Sequence, residues 1–475
     1  MTQRLKDVSV WTWVLLLLCL SHAVWMSWLQ VDTHNGLGTF AYDVGLYDQG
    51  LWLLSRGEAP FVTLMGRNLF GDHASLILLF LVPLYWVIPG TATLLVVQAI
   101  VIAAGAIPLY LLARRVFENE RWALVIAVVW LANPAVNGTG MENFHPDSFL
   151  GLFIPMAVYA AFSRQWRLYA VAVGLSLLVK EDVLLLMIPL GLYVAVFLDR
   201  RKGLWTIFAS TMATMFGMLI LMKALTGINT RNAWRIPFGG FDGLVAEVFL
   251  RPLNVLQYLL EDDRPLYIFQ LSAPLAGLFV LSPWLAAVAL PVIAWNLLST
   301  FWYQHSIQYH YSLVVMPVLV ASVIFGVAKL RQSWRRPFLL LVLGTSLLTS
   351  VTWGQHSLAL NPREVLPGNA PIAIAGREIL KRIPADAVVS LYDPLTTHAA
   401  HRKEVYFFPN PFSTLYYGLN DSEAGVRLPV SDRIEYVVLP RYMAGGLREV
   451  WNWVKVDFVE VDSNLHWQVF QKKSP

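Results

Sequence analysis

Apolar residues run along this chain in long blocks, broken by short polar stretches. Blocks near 9–30, 92–113, 122–138, 148–163, 167–179, 183–198, 204–225, 266–281, 284–300, 312–330 and 337–353 read as membrane-spanning helices. A further block, 74–90, contains Pro83 and Pro89 and ends directly before the 92–113 block. Whether it crosses sets the side on which everything after it lies, and charge decides the matter. If it does not cross, four basic clusters fall on the cytoplasmic side with the N-terminus: Arg114/Arg115/Arg121, Arg164/Arg167, Arg200/Arg201/Lys202 and Lys329/Arg331/Arg335/Arg336. If it does, all four fall outside, against the positive-inside rule. The expectation is about eleven spans, N-terminus in and C-terminus out, with 74–90 half-buried.

Beyond Val351 the pattern changes. Residues 355–475 hold no block long enough to span; 372–383 reads as a helix, and AVVSLY, VYFFP, IEYVVLP, DFVEVD and HWQVFQ read as strands. The expected division is an α-helical polytopic transmembrane domain, 1–354, with outer loops at 31–73 and 226–265, and a small α/β extracytoplasmic domain, 355–475.

The first outer loop does not read as a plain connection. From Ala41 to Ser55 there is no proline, and Val44, Leu46, Leu51, Trp52, Leu53 and Leu54 supply apolar contacts between polar residues. That pattern suggests a helix in the membrane interface, one side apolar and the other wet. Asp43, Tyr47 and Gly50 share a face at i, i+4 and i+7, whereas Asp48 lies roughly 140° round at 100° per residue. One carboxylate is expected to do chemistry and the other to hold structure, with Asp43 favoured for the chemistry.

Composition narrows the picture. With 57% hydrophobic residues in 475, the chain is a membrane protein, and a net charge of +4 is too small to suggest a nucleic-acid partner. The single cysteine, Cys19, lies inside an apolar block, so neither a disulfide framework nor a thiolate metal site is expected. Ser21-His22-Ala23 faintly resembles a signal-peptide cleavage site, but the apolar run continues to Leu29, which favours an uncleaved first span.

The topology gathers the unusual polar residues on the outer side. They are Asp43, Asp48, Asp72 and His73; Glu142, His145 and Asp147 in GMENFHPD; Lys180, Glu181 and Asp182 at a tight hairpin; Arg231 and Arg235 in NTRNAWR; Glu261, Asp262, Asp263 and Arg264; and His305, Tyr309 and His310 in FWYQHSIQYHY. Ionisable groups at a membrane boundary are costly and usually functional. Each also has a plain alternative. Asp43 could cap a helix, Asp48 could pair with an arginine or an indole N–H, Asp72 could cap the 74–90 segment, and Lys180 could snorkel. The histidines show no HExxH spacing, which argues against a dedicated zinc site. A reaction that uses carboxylates, cations and an apolar groove together is sugar transfer from a polyprenyl-phosphate carrier. The phosphate leaves with its charge met by cations, here Lys180 and at least one of Arg231, Arg235 and His310, while a carboxylate takes the acceptor proton.

DVGLYDQGLW, GDHASLILLFLVPLYW, FHPD, VKEDV and QYHYS, followed by IPADAVVS and HRKEVYFFP, resemble an uncharacterised family of predicted bacterial membrane proteins within the GT-C glycosyltransferase superfamily. The resemblance runs from about Tyr42 to Pro409. It implies a GT-C-like fold with interfacial helices and makes Asp43 the match of the acidic first-loop residue that serves as catalytic base. Asp72-His73 sits where many members have an acidic residue followed by Lys or His and two prolines, although Ala74 and Ser75 replace the prolines here. Lys180 lies where several relatives have a Lys-Gly turn; Glu181-Asp182 departs from that pattern. Some members need a divalent cation and others do not, so the resemblance leaves a metal open.

The expected function is therefore glycosyl transfer, by inversion, from a polyprenyl-phosphate-linked sugar in the membrane lipid to a lipid, glycan or protein acceptor. The place is the outer face of a bacterial inner membrane. The alternative from another class is a polyprenyl-lipid binding or translocating protein with the same groove and no catalysis. Charges held at the outer boundary and not at the bilayer midplane favour the enzyme. A sensor is a weaker third reading, because the cytoplasmic side carries no output domain.

Overall fold

The computed structural model describes residues 9–230, 232–417, 424–443 and 445–474. Each of the eleven apolar blocks is helical. Among the described residues, five helices are long and apolar enough to cross a membrane by length and composition: Val10–Asn35, Thr91–Phe117, Arg200–Thr226, His310–Ala328 and Gln332–Trp353. Glu120–Ala132 and Pro134–Met141 qualify as a pair, bent by 46°. The bend has a local cause: Pro134 offers no N–H to the preceding turn, and Asn133 Oδ1 accepts from Ala135 N at 3.0 Å, starting a new helix.

The remaining blocks form shorter helices. The run expected at 266–281 is broken into Arg264–Ser272, Ala273–Leu275 and Leu278–Leu281, whereas that at 284–300 is one apolar helix, Pro283–Leu298, with 3-10 geometry at Ala287–Ala289. Pro274 interrupts the backbone ladder of the first run, which turns at Ala276 and Gly277. The 74–90 segment is a 3-10 helix, Leu76–Leu81, running into the α-helix Val82–Val87. At roughly 2.0 and 1.5 Å per residue the two reach about 21 Å, short of a core of about 30 Å.

The first helix shows how the sequence sorts lipid from protein. Ser9 Oγ accepts from Thr12 N at its start, and the buried residues Leu15, Cys19, Ala23, Met26 and Gln30 recur every three or four positions. Leu17, Leu20, Val24 and Trp28 occupy the other side and are exposed. A helix buried on one stripe and apolar all round belongs in a bilayer. Close backbone contact then locks neighbouring segments. A Cβ on Gly138 would stand 2.2 Å from Ile307 O, so glycine lets the Pro134–Met141 helix touch the 307–308 backbone.

The C-terminal domain is a five-stranded mixed sheet in the order Val405–Phe407, Val389–Leu391, Tyr436–Pro440, Trp467–Lys472, Phe458–Ser463. The first three strands are parallel and the last two antiparallel. Helix Pro371–Leu380 packs on it, tied by Trp467 Nε1 donating to Ile372 O at 2.9 Å. All five expected strands and this helix are present, and a further helix, Gly445–Val454, was not foreseen.

That domain sits on the segment 39–49. Asp393 Oδ1 accepts from Ala41 N at 2.8 Å, Thr39 and Thr397 share a hydroxyl contact at 2.9 Å, and Gln49 Nε2 donates to Thr63 Oγ1 at 2.8 Å and to Arg402 O at 3.2 Å. The one-sided interfacial helix expected at 41–55 is corrected accordingly. Leu46, Tyr47, Asp48, Gln49, Gly50 and Leu51 are all buried: His401 and Arg402 of the C-terminal domain meet Asp48 and Gln49, Tyr85 and Thr91 also hold Asp48, and Tyr47 packs on Phe144 and His145.

Candidate functional site

Asp43 lies in a π-helical turn, Ala41–Gly45, that precedes the α-helix Leu46–Ser55. Its own backbone leaves the helical range (φ −105°, ψ −109°), so counting faces at 100° per residue fails at this position. The residue before the turn, Phe40, makes no side-chain cap. Asp43 Oδ2 instead accepts from Asn143 Nδ2 at 3.0 Å, and Oδ1 stands 3.7 Å from His145 Nε2. With 32% of its side chain exposed, the carboxylate is held by protein and reachable from outside.

Behind it the FHPD and QYHY stretches meet. His145 and His310 stack at 3.9 Å between centroids, and Glu142 Oε2 accepts from His310 N at 2.7 Å and contacts His310 Nδ1 at 3.0 Å. Burial pushes the Glu142 carboxyl up to about 8; His145 opposes that shift and Asp43 adds to it. Burial, and then the stacked His310, push the His145 imidazole below its ordinary value, with Glu142 and Asp43 opposing. Gln98 fixes the loop through a bond from His145 N at 3.1 Å. The Gly138 contact with residue 307 brings the two stretches together.

Lys180 is buried, with Nζ 3.8 Å from Asp147 Oδ1, 3.5 Å from Asp182 Oδ2 and 5.7 Å from the centre of the Tyr311 ring. Burial works against its ammonium, but Asp147 and Asp182 outweigh burial and hold its pKa above the ordinary value. The side chain does not snorkel into a headgroup layer. Arg235 Nη1 donates to Tyr311 OH at 3.2 Å, and its guanidinium lies 4.4 Å from the Phe301 ring centre. Its Nε is buried with no hydrogen-bond partner among the described residues. Tyr311 thus links Lys180 and Arg235 to His310, whose ring is 4.0 Å away. A crevice lined by Asp147, Asp182, Asn296, Gln304 and Tyr311 opens alongside.

A third group ties the first loop to the Lys180 hairpin. Glu181 Oε1 contacts His73 Nδ1 at 2.7 Å, and Oε2 accepts from Ala74 N at 3.0 Å. Asp72 does not cap the following helix. It pairs with Arg67 at 3.5 Å and lies 3.9 Å from His73. Burial would push His73 down, but the Glu181 carboxylate outweighs it and raises the pKa; burial likewise opposes the lowering of Glu181, which His73 carries down to about 2.

Asp48 belongs elsewhere. It is buried and takes bonds from Tyr85 OH at 2.8 Å, Thr91 Oγ1 at 2.7 Å and His401 Nε2 at 2.9 Å. Its partners are neither the arginine nor the indole that the sequence offered. Tyr309 packs among Trp302 and Tyr303, and Arg231 lies outside the described residues. Sequence reasoning missed Asn143, Asp393 and Tyr311. Asn143 and Tyr311 stand inside motifs already singled out, where ionisable neighbours drew the attention; Asp393 carried no local signal.

Residues 33–428 match the family described as "Predicted membrane protein (DUF2079)". The chain belongs to that family. No curated protein matches it. Among solved structures, the DUF2079 chain is similar to ArnT from Cupriavidus metallidurans bound to undecaprenyl phosphate, with a TM-score of 0.59 at 12% identity over 97% of this chain and 98% of that one. The same protein in the apo state gives 0.57 at 14% identity, with 97% of each chain covered. This DUF2079 protein is a multi-pass membrane protein with a GT-C-like fold.

Proposed function

We infer that this protein transfers a sugar from a polyprenyl-phosphate carrier to a hydroxyl acceptor on the outer face of a bacterial inner membrane. The observation that carries the reading is the pairing of a reachable carboxylate, Asp43, with the cations Lys180 and Arg235, joined through His145, His310 and Tyr311. Arg235 Nε, a buried donor without a partner among the described residues, suits an anion. The shared fold with a protein that binds undecaprenyl phosphate supports the lipid class.

In the reaction the acceptor hydroxyl gives its proton to Asp43 as its oxygen attacks the anomeric carbon with inversion. The bond from that carbon to the phosphate oxygen breaks, and the phosphate leaves with both electrons, its charge met by Lys180 and Arg235. Asn143 and His145 hold the base in place. Asp48 holds the scaffold beneath it.

Asp43→Asn tests the assignment because it keeps the size and the bond from Asn143 while removing the proton acceptor. Turnover should fall by roughly 10²–10⁴-fold with little change in donor binding. Full transfer activity in Asp43→Asn would remove the base. Retained donor binding with no turnover in the wild-type protein would favour the lipid-binding alternative.

A further inference from the structure

The residues behind Asp43 hold a second arrangement that sugar transfer alone does not require. Glu142, His145 and His310 are buried, and each offers one ligand-type atom, the three lying within 4.8 Å of one another. Among the described residues no other three His, Cys, Asp or Glu side chains are so placed. His145 Nδ1 is 3.0 Å from Asn143 O. A nitrogen facing a carbonyl must carry the proton, which leaves the lone pair on Nε2. Metal-bound histidines are commonly oriented in this way, the far ring N–H donated to a backbone carbonyl. His310 stacks on that ring at 3.9 Å and 20°, and one of its nitrogens falls within the same 4.8 Å. Glu142 is drawn against the same loop by the His310 backbone N–H at 2.7 Å.

We propose that Glu142, His145 and His310 form a binding site for a first-row divalent cation of the zinc type. Two imidazoles and a carboxylate are the ligand set of zinc sites that keep one position open. Imidazole favours zinc, cobalt or nickel over magnesium and calcium, which take oxygen ligands. Asp43 Oδ1 lies 3.7 Å from His145 Nε2, the nitrogen free to bind, so the ion's charge is felt at that carboxylate. The site stands on these side chains and not on the transferase reading.

The test is Co²⁺ titration of the full-length protein, purified in detergent and stripped with chelator, followed by the visible bands that report four-coordinate cobalt. The expected result is one Co²⁺ per chain, displaced by Zn²⁺, with binding weakened roughly tenfold or more in Glu142→Gln and in His145→Gln. His305→Gln, outside the cluster, should bind as the wild type does. Circular dichroism and gel filtration establish that each variant is folded. If the variants do not fold, X-ray absorption of the zinc-loaded wild type decides: imidazole nitrogens in the shell support the site, and an all-oxygen shell overturns it. A wild type that binds no Co²⁺, or folded variants that bind it equally well, also overturn it. No sugar donor enters these measurements. Metal binding without transfer would therefore count against the proposed function alone, and transfer by a protein that binds no metal would count against this site alone.

Discussion

Asp43 and Asp48 occupy one short segment and meet opposite surroundings. Asp48 has both oxygens engaged, Tyr85 and His401 on Oδ1 and Thr91 on Oδ2. Asp48→Ala would take the acceptor from Tyr85, Thr91 and His401, leaving the hydroxyls only their longer contacts to Gly90 O at 3.4 Å and Thr397 O at 3.3 Å, and should cost about 2 kcal/mol, read as a lower melting midpoint in detergent. Asp48→Asn is a gentler change. Its amide oxygen can still accept from Tyr85 and His401, while Thr91 can turn to accept from the amide and donate to Thr397 O, now 3.3 Å away. Asp48→Asn should therefore keep transfer activity where Asp43→Asn loses it; equal loss in both would erase the distinction. The pair His73–Glu181 gives a pH signature. Glu181, lowered to about 2, contributes stability above the ordinary glutamate value of about 4.3. His73, raised, contributes fully below the ordinary histidine value of about 6.5, and that contribution is lost as pH rises through its folded pKa. The melting difference between wild type and His73→Gln should be greatest between these two values and shrink on the alkaline side. A difference that does not change with pH would dissociate the contact from charge.

Local elements show where the sequence was readable. The apolar blocks announce the helices because a lipid-facing stripe and a protein-facing stripe are both hydrophobic, and the five strands of the C-terminal sheet follow from their β-rich runs. The 41–55 segment shows where reading stops. Its alternation of apolar and polar residues is real, but Asp48 and Gln49 face His401 and Arg402 some 350 residues away, and no local pattern separates that from a face open to water. The π turn that carries Asp43 is likewise invisible, since it depends on Asp393 accepting from Ala41 N. His145, Lys180 and His310 were legible as outer-face groups, whereas the stacking of His145 on His310 depends on the Gly138 contact. Gly138→Ala should thus press on Ile307 O, costing roughly 1–3 kcal/mol as an overpacked contact, and displace His310. A fall in transfer and in melting midpoint together is the expected outcome. An unchanged protein would mean that the two stretches are placed by something else.

At the scale of the whole molecule, the C-terminal domain packs on the first loop, and a chain of side-chain contacts joins that loop's carboxylate to the cations. From Asp43 these contacts run through His145, His310 and Tyr311 to Lys180 and Arg235. That arrangement puts the central claim in a form a density map can test. The measurement is a structure of the wild-type protein after incubation with undecaprenyl phosphate. The account predicts the phosphate within charge-assisted hydrogen-bond distance of Lys180 or Arg235, its tail between apolar helices and its head facing Asp43. A phosphate held away from all three residues, or none bound at saturating lipid, would contradict it.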